Sequence, residues 1–231
     1  MSDETFESAV AEAREHAAYG KREIREAYQE IRERELESSR AERIAKLVAI
    51  SKGNAPLPSD RRYPIIYADP AWQYENPPIG ATSRAIENHY PTLSLEEICA
   101  LPVSRLATND SVLFLWATAP KLAECMSVIT AWAFTYRTNL VWAKDKIGMG
   151  YHVRNQHELL LIAKRGDIPP PEPSARPASI LCAPRREHSR KPDEAYALIE
   201  RMYPELARIE LFARGTRPGW AAWGNQAGVA A

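Results

Sequence analysis

Short apolar runs separated by helical patterns constrain the fold of this chain more than any other feature. Runs at Tyr63–Ala68, 112–117, 139–143, 159–163, Ile180–Cys182 and 208–212 read as strands. Several are apolar on consecutive residues, the pattern of a strand covered on both faces. The segments between them read as helices. Ser94-Leu95-Glu96-Glu97 is a capping box, in which each end satisfies the other's free backbone N–H. Residues 120–132 read as a helix behind the cap Thr118, with Pro120 early, where a missing N–H costs nothing. Residues 192–203 read as another, with Asp193 and Glu194 at its positive end. Strand and helix alternate, so the expected fold is an α/β sandwich on a mainly parallel sheet. Two segments follow neither period. Residues 73–90 are polar and rich in turn formers, and residues 168–179 hold five prolines and read as an exposed loop.

The 231 residues allow one large domain, or one domain with an appendage. Residues 1–52 differ from the remainder, being dense in Glu, Arg and Ala and free of proline. Ile24, Tyr28 and Ile31 recur at helical spacing, and Ile44, Leu47 and Val48 form a second thin stripe. This reads as one long helix, or a pair broken near Gly20. It is either a solvated helix lying on the domain by its stripe, or an arm for dimerisation or nucleic acid. Pro56 and Pro58 mark a linker. The expected organisation is a charged helical extension and linker over residues 1–55, then one α/β domain over 56–231.

Lysine plus arginine and aspartate plus glutamate each number 30, so net charge is zero and any basic surface must be local. Cys99, Cys125 and Cys182 lie far apart with no CxxC pair, which fits reduced thiols in a cytoplasmic protein. No apolar run approaches the roughly 18 residues of a membrane span. The acidic, polar amino-terminal stretch argues against a signal peptide.

Asp69-Pro70-Ala71-Trp72 directly follows the first strand, at the edge where open α/β sheets bind ligands. The stretch suits a flat base with an exocyclic amine. Asp69 can accept one amine hydrogen, the Pro70 carbonyl the other, and Trp72 can stack on the ring. By itself it reads more simply as a strand ending in a proline turn over a buried tryptophan. Glu210, Phe212 and Arg214 close the last strand. An acid and an arginine there can bind a ribose and a charged tail, and Phe212 can cover an adenine. Asn225 and Gln226 add amide groups, although an edge strand with a satisfied ion pair explains the same residues. Glu187-His188-Ser189-Arg190-Lys191-Pro192 sets cations before a helix, either an anion site or an ordinary cap. His152, Asn155, His157 and Glu158 gather without metal-ligand spacing, so polar groups at a pocket mouth are the better reading and no metal is expected. Neither a Rossmann G-x-G-x-x-G nor a P-loop occurs.

Taken together, these stretches resemble the adenine-N6 methyltransferases typified by the seventy-kilodalton catalytic subunit of mRNA adenosine methyltransferase, with its bacterial and phage relatives. Asp69-Pro70-Ala71-Trp72 is similar to that family's D-P-P-W. The likeness continues through Glu87-Asn88-His89-Tyr90-Pro91-Thr92, Leu113-Phe114-Leu115-Trp116-Ala117-Thr118 and Val141-Trp142-Ala143-Lys144. It goes on through Asn155-Gln156-His157-Glu158, His188-Ser189-Arg190-Lys191-Pro192, Glu210-Leu211-Phe212-Ala213-Arg214 and Trp223-Gly224-Asn225-Gln226, over about residues 62–226.

The resemblance implies a Rossmann-like, S-adenosylmethionine-dependent methyltransferase fold with an amino-terminal helical extension. It implies Asp69, Pro70 and Trp72 as catalytic residues, with Asp69 also near the methionine end of the cofactor. Lys191 would meet the cofactor carboxylate. Arg214, Asn225 and Gln226 would bind its ribose and adenine side, and Glu210 and Phe212 would shape that pocket. Trp72, Tyr74, Asn155 and Glu158 would contact the substrate. Ala71 stands where the family has a second proline, which loosens the turn without removing its hydrogen-bonding groups. The implied reaction is methylation of adenine N6 in DNA or RNA, with DNA favoured. A weak or inactive methyltransferase-like subunit that binds nucleic acid is the alternative. A monomer or homodimer is expected, with a partner subunit left open.

Overall fold

The computed structural model describes residues 25–38, 42, 57–58, 60–72, 92–148, 152–186, 190–224 and 227. The chain divides into two units, residues 1–52 with 76–91 and residues 53–75 with 92–231. In the first, residues 25–38 form the helix α1, which carries Tyr28 and Ile31 of the first apolar stripe. Ile24, Ile44, Leu47 and Val48 lie outside the described residues.

In the second unit, seven strands form one sheet: β1 (Tyr63–Ala68), β2 (Ala107–Ala117), β3 (Thr135–Ala143), β4 (His157–Arg165), β5 (Ile180–Cys182), β6 (Arg208–Leu211) and β7 (Trp220–Trp223). Their order is β5-β3-β4-β2-β1-β6-β7. β1 pairs parallel with β2 and β6, β6 with β7, and β3 with β5, while β4 runs antiparallel to both β2 and β3. The sheet is therefore mainly parallel with one reversed strand, and the carboxyl ends of β1, β2, β3 and β6 share an edge with the amino end of β4.

The consecutive apolar runs fill both faces. Ile66, Ala68, Leu113 and Leu115 face α2 (Leu95–Ala100) and α4 (Leu122–Ala131) through Ile98, Cys125, Val128 and Ile129. Ile65, Tyr67, Phe114, Trp116 and Leu160 face α5 (Asp193–Met202) through Ala195, Ile199 and Met202. Each leucine, isoleucine, valine, phenylalanine or methionine among them, once buried, stabilises the fold by about 1.5–3 kcal/mol. The buried indoles find acceptors: Trp132 Nε1 donates to the Ile98 carbonyl at 2.9 Å and Trp142 Nε1 to the Ala183 carbonyl at 2.8 Å. The capping box closes as its spacing predicts, with Ser94 N–H on Glu97 Oε2 at 2.8 Å and Glu97 N–H on Ser94 Oγ at 3.2 Å.

Several boundaries differ from the sequence reading, each for a local reason. β2 begins at Ala107 because a bulge carries polar Thr108, Asn109 and Asp110, which hide the strand from an apolar pattern. Thr108 Oγ1 on the Asp110 carbonyl (2.6 Å) and Ser111 Oγ on the Thr108 carbonyl (3.0 Å) hold that bulge. Thr118 does not cap α4 with its side chain; a 3₁₀ turn at Ala119–Lys121 carries Pro120 and leads into the helix. The four-residue α3 (Val103–Leu106) and strand β7 carry too short a pattern to stand out. The proline-rich loop holds one 3₁₀ turn, Pro173–Ala175. Among the described residues, no helix is long and apolar enough to cross a membrane, and all three cysteines are free.

Candidate active site

Asp69 leaves the carboxyl end of β1, where its backbone neighbours are fully buried and its own carboxylate reaches the surface edge. The chain then turns sharply. Trp72 N–H donates to the Pro70 carbonyl at 3.0 Å, and Leu93 N–H donates to the Ala71 carbonyl at 2.8 Å. The turn expected to be loose at Ala71 is thus pinned twice. The Pro70 carbonyl keeps a second lone pair for another donor.

Lys191 directly precedes Pro192, the residue capping the amino end of α5. Its Nζ lies 2.8 Å from Asp69 Oδ1 and 3.2 Å from Glu158 Oε2, with only 9% of the side chain exposed. Lys144 Nζ, just past β3, lies 2.5 Å from Glu158 Oε1. The side chains form an alternating row, Asp69–Lys191–Glu158–Lys144, set on two indoles: Lys191 lies 5.6 Å from the Trp116 ring and Lys144 4.7 Å from the Trp142 ring. Burial alone would push Glu158 up, but the Lys191 and Lys144 ammonium groups outweigh it and hold its pKa below the usual carboxylate range. Burial likewise opposes the charge on Lys191, yet Asp69 and Glu158 raise its pKa above the ordinary lysine value. Among the described residues, the buried Trp72 Nε1 has no hydrogen-bond partner. Glu158 Oε2 is buried against Lys191 Nζ at 3.2 Å, so the ammonium holds that oxygen in place.

The second half of the edge is built on β6. Glu210 accepts from Tyr196 Oη at 2.8 Å, and Trp116 Nε1 donates to Tyr67 Oη at 2.6 Å beneath it. The Tyr67 and Tyr196 rings stand 4.8 Å apart. Burial, with the Asp69 charge adding to it, pushes Glu210 up to about 7 despite the Tyr196 hydrogen bond. Phe212 follows with φ of 63°, the left-handed region that non-glycine residues seldom occupy. Its ring meets Trp223 edge-on at 5.5 Å. Ala213 N–H donates to the Trp223 carbonyl at 2.9 Å, and a Cβ on Gly224 would stand 2.5 Å from the backbone of Ala213. Only glycine lets the end of β7 close on this turn.

The structure brings Asp69, Glu158 and Lys191 together and places Glu210, Phe212 and half-buried Arg214 along the same edge. Trp72 is only 5% exposed and packs in the core, so in this position it presents no face for stacking on a base. Asn155 lies in the loop before β4, where its carbonyl accepts the Gly148 N–H at 2.7 Å. Tyr74, Asn225, Gln226 and His188 lie outside the described residues. Lys144 falls in the Val141-Trp142-Ala143-Lys144 stretch but has no role assigned to it in the sequence reading, and Tyr67 and Tyr196 lie in none of the motifs. Period-two alternation in β1 could have marked Tyr67 as sharing a face with Trp116.

These groups fit S-adenosylmethionine. Lys191 and the positive end of α5 suit a carboxylate, Glu210 suits a ribose diol, and the Phe212 ring suits an adenine. An open α/β sheet of this topology, with its charged groups gathered at the carboxyl edge, is consistent with a Rossmann-like methyltransferase fold. The family model described as MT-A70 matches residues 63–226. The chain is 34% identical over 180 residues to the type II methyltransferase M.MunI of Mycoplasma sp, a match covering 71% of this chain and 77% of that one. It is 30% identical over 173 residues to the N(6)-adenosine-methyltransferase MT-A70-like protein of Arabidopsis thaliana, covering 70% and 23%. It is 27% identical over 175 residues to the human N(6)-adenosine-methyltransferase catalytic subunit METTL3, covering 71% and 28%. The chain thus spans most of the first relative and about a quarter of the other two. It belongs to the MT-A70 family of S-adenosylmethionine-dependent methyltransferases, and its class is adenine-N6 methyltransferase.

Proposed function

We propose that this chain methylates the N6 amine of adenine in nucleic acid, with DNA preferred to RNA. The observation that carries the reading is the Asp69–Lys191–Glu158 cluster beside the pinned Pro70–Trp72 turn, at the carboxyl edge of the sheet. The DNA preference follows the likeness to a type II methyltransferase along most of that protein's length.

An adenine amine is a weak nucleophile because its lone pair is delocalised into the ring. S-adenosylmethionine supplies a methyl group already activated on a sulfonium. The chain's part is to change the amine and hold it. Lys191 occupies Asp69 Oδ1, which leaves Oδ2 to accept one amine hydrogen. The free lone pair of the Pro70 carbonyl accepts the other. Two acceptors on one side favour a pyramidal nitrogen whose lone pair points away from them, and fixed orientation then supplies much of the acceleration. Asp69 also stands ready to hold the proton that the alkylated nitrogen sheds. Glu158, held by Lys191 and Lys144, stands beside the base edge as a fixed anion. Trp72 anchors the turn from below with its buried ring. A flipped base in duplex DNA, or an unpaired one, could reach this edge.

Matched DNA and RNA strands incubated with labelled S-adenosylmethionine test the reading. Label is expected in adenine of both, faster in DNA. Label confined to RNA would sink the DNA preference, and label in neither would sink the activity.

A further inference from the structure

A cavity of about 580 Å³ lies away from the charged row, between the sheet face and the proline-rich loop. Leu140, Ile162, Met202 and Tyr203 form its floor, and the rings of Pro169, Pro170, Pro171 and Pro177 its wall. Val112, in the same lining, is three residues of β2 before Leu115, which lies level with Ala68 beside Asp69. The cavity therefore begins about 10 Å down the sheet from the active edge.

Its charge is one-sided. Arg137, Lys164 and Arg176 line it, and among the described residues no aspartate or glutamate does. Arg176 Nε is fixed on the Pro171 carbonyl at 2.9 Å, which holds the guanidinium at the rim. Lys164 Nζ makes a long ion pair, 3.8 Å, with the fully exposed Asp167, whose carboxylate is held mainly by solvent. Thr138, Asn139 and Ser179 supply hydrogen-bonding groups within. A chain of zero net charge that acts on a polyanion has to concentrate cations locally. One aromatic ring, Tyr203, beside apolar proline rings and bordering cations suits an unpaired nucleotide: an apolar seat for the base and charge for its phosphates.

We propose that this cavity is a second nucleic-acid site, which holds an unpaired nucleotide of the substrate strand away from the target adenine. The proposal rests on the nucleic-acid reading of the active edge but uses none of its residues. It makes the cavity an anchor for the strand rather than a reader of the target base. The base lies against Tyr203 and the prolines, and the adjoining phosphates meet Arg137, Lys164 and Arg176.

Oligothymidylate provides the test, because it contains no adenine to fill the active edge. Its binding to the full chain is measured against salt, with S-adenosylmethionine present. The double variant Arg137→Glu, Arg176→Glu should bind at least about tenfold more weakly, with a salt slope shallower by about 1.4, from two lost phosphate contacts. Ile162→Trp, which fills the cavity and leaves the cations, should weaken binding while changing the slope little. Equal affinity and slope in wild type and double variant overturn the proposal. Loss of polyglutamate binding with oligothymidylate binding unchanged also overturns it and assigns the cavity to an acidic protein partner. Calorimetric titration with S-adenosylmethionine separates the two readings. Cofactor binding retained in every variant leaves the methyltransferase reading intact whatever happens at the cavity.

Discussion

Glu158 on β4 and Glu210 on β6 flank the same edge of the sheet, both largely withdrawn from water, yet they are driven toward opposite charge states. Glu158 lies between two ammonium groups and is held below the usual carboxylate range. Glu210 has a phenol hydroxyl as its close partner, and burial pushes it up to about 7. Burial raises both; the neighbour decides the outcome. One carboxylate is a permanent anion beside the proposed target base. The other changes charge near neutral pH beside the proposed ribose site, so the two halves of the edge should respond differently to pH.

Removing Lys191 breaks the contrast most severely. Lys191→Met leaves Asp69 without its cation and Glu158 with Lys144 alone, and should cost about 3–5 kcal/mol of stability, the usual penalty for opening a buried pair. Methyl transfer should fall at least about 100-fold, a barrier increase of roughly 2.7 kcal/mol. Chemical denaturation beside a turnover assay checks both, and a variant that keeps wild-type stability would contradict the buried row.

Glu210→Gln should sharpen the contrast through pH. A carboxyl whose folded pKa lies above its unfolded value binds the extra proton in the folded state. Its contribution is fully present below the unfolded value of 4.5 and is lost as pH rises through about 7. The wild type should therefore lose about 3 kcal/mol over that window from this group, and Glu210→Gln should flatten the decline. Identical stability profiles for the two proteins would remove the claim about Glu210.

Lys144→Met tests the other carboxylate at a distance from the cofactor side. A depressed carboxylate contributes stability above its unfolded pKa and loses it as pH falls through its lower folded value. With one of its two cations gone, Glu158 should protonate at higher pH. The acid limb of the methyl-transfer profile should move upward, with turnover reduced about tenfold near neutrality, roughly 1.4 kcal/mol. Lys144→Arg should restore the limb. A uniform drop in rate without movement of that limb would make Lys144 merely structural.

The smallest effect belongs to Ala71→Pro. The turn is already closed by the Trp72 and Leu93 hydrogen bonds. Restricting the unfolded chain should add about 0.4–1 kcal/mol with activity unchanged. A destabilised variant would show that the turn needs the freedom of alanine.

The sheet was legible where the chain is apolar on consecutive residues, as at Ile65, Ile66, Tyr67 and Ala68. It was obscured where polar side chains sit in a strand, as in the bulge at Thr108–Asp110. Asp69 and Lys191 could be read because each stands at a marked junction, a strand end and a proline-capped helix start. The Lys144–Glu158 pair could not. It depends on the antiparallel register that sets Trp142 opposite Glu158, and spacing along the chain does not disclose register. The burial of Trp72 was hidden for a similar reason. An indole after a strand looks the same in sequence whether it faces a ligand or packs against the core.

The central claim is that Asp69 and the Pro70 carbonyl prepare an adenine amine for methylation at this edge. Mass spectrometry of N6-methyladenine in DNA tests it most directly, after incubation of S-adenosylmethionine with wild type or Asp69→Ala at matched cofactor occupancy. The account predicts N6-methyladenine with wild type and none above background with Asp69→Ala. Equal yields from the two proteins would contradict it.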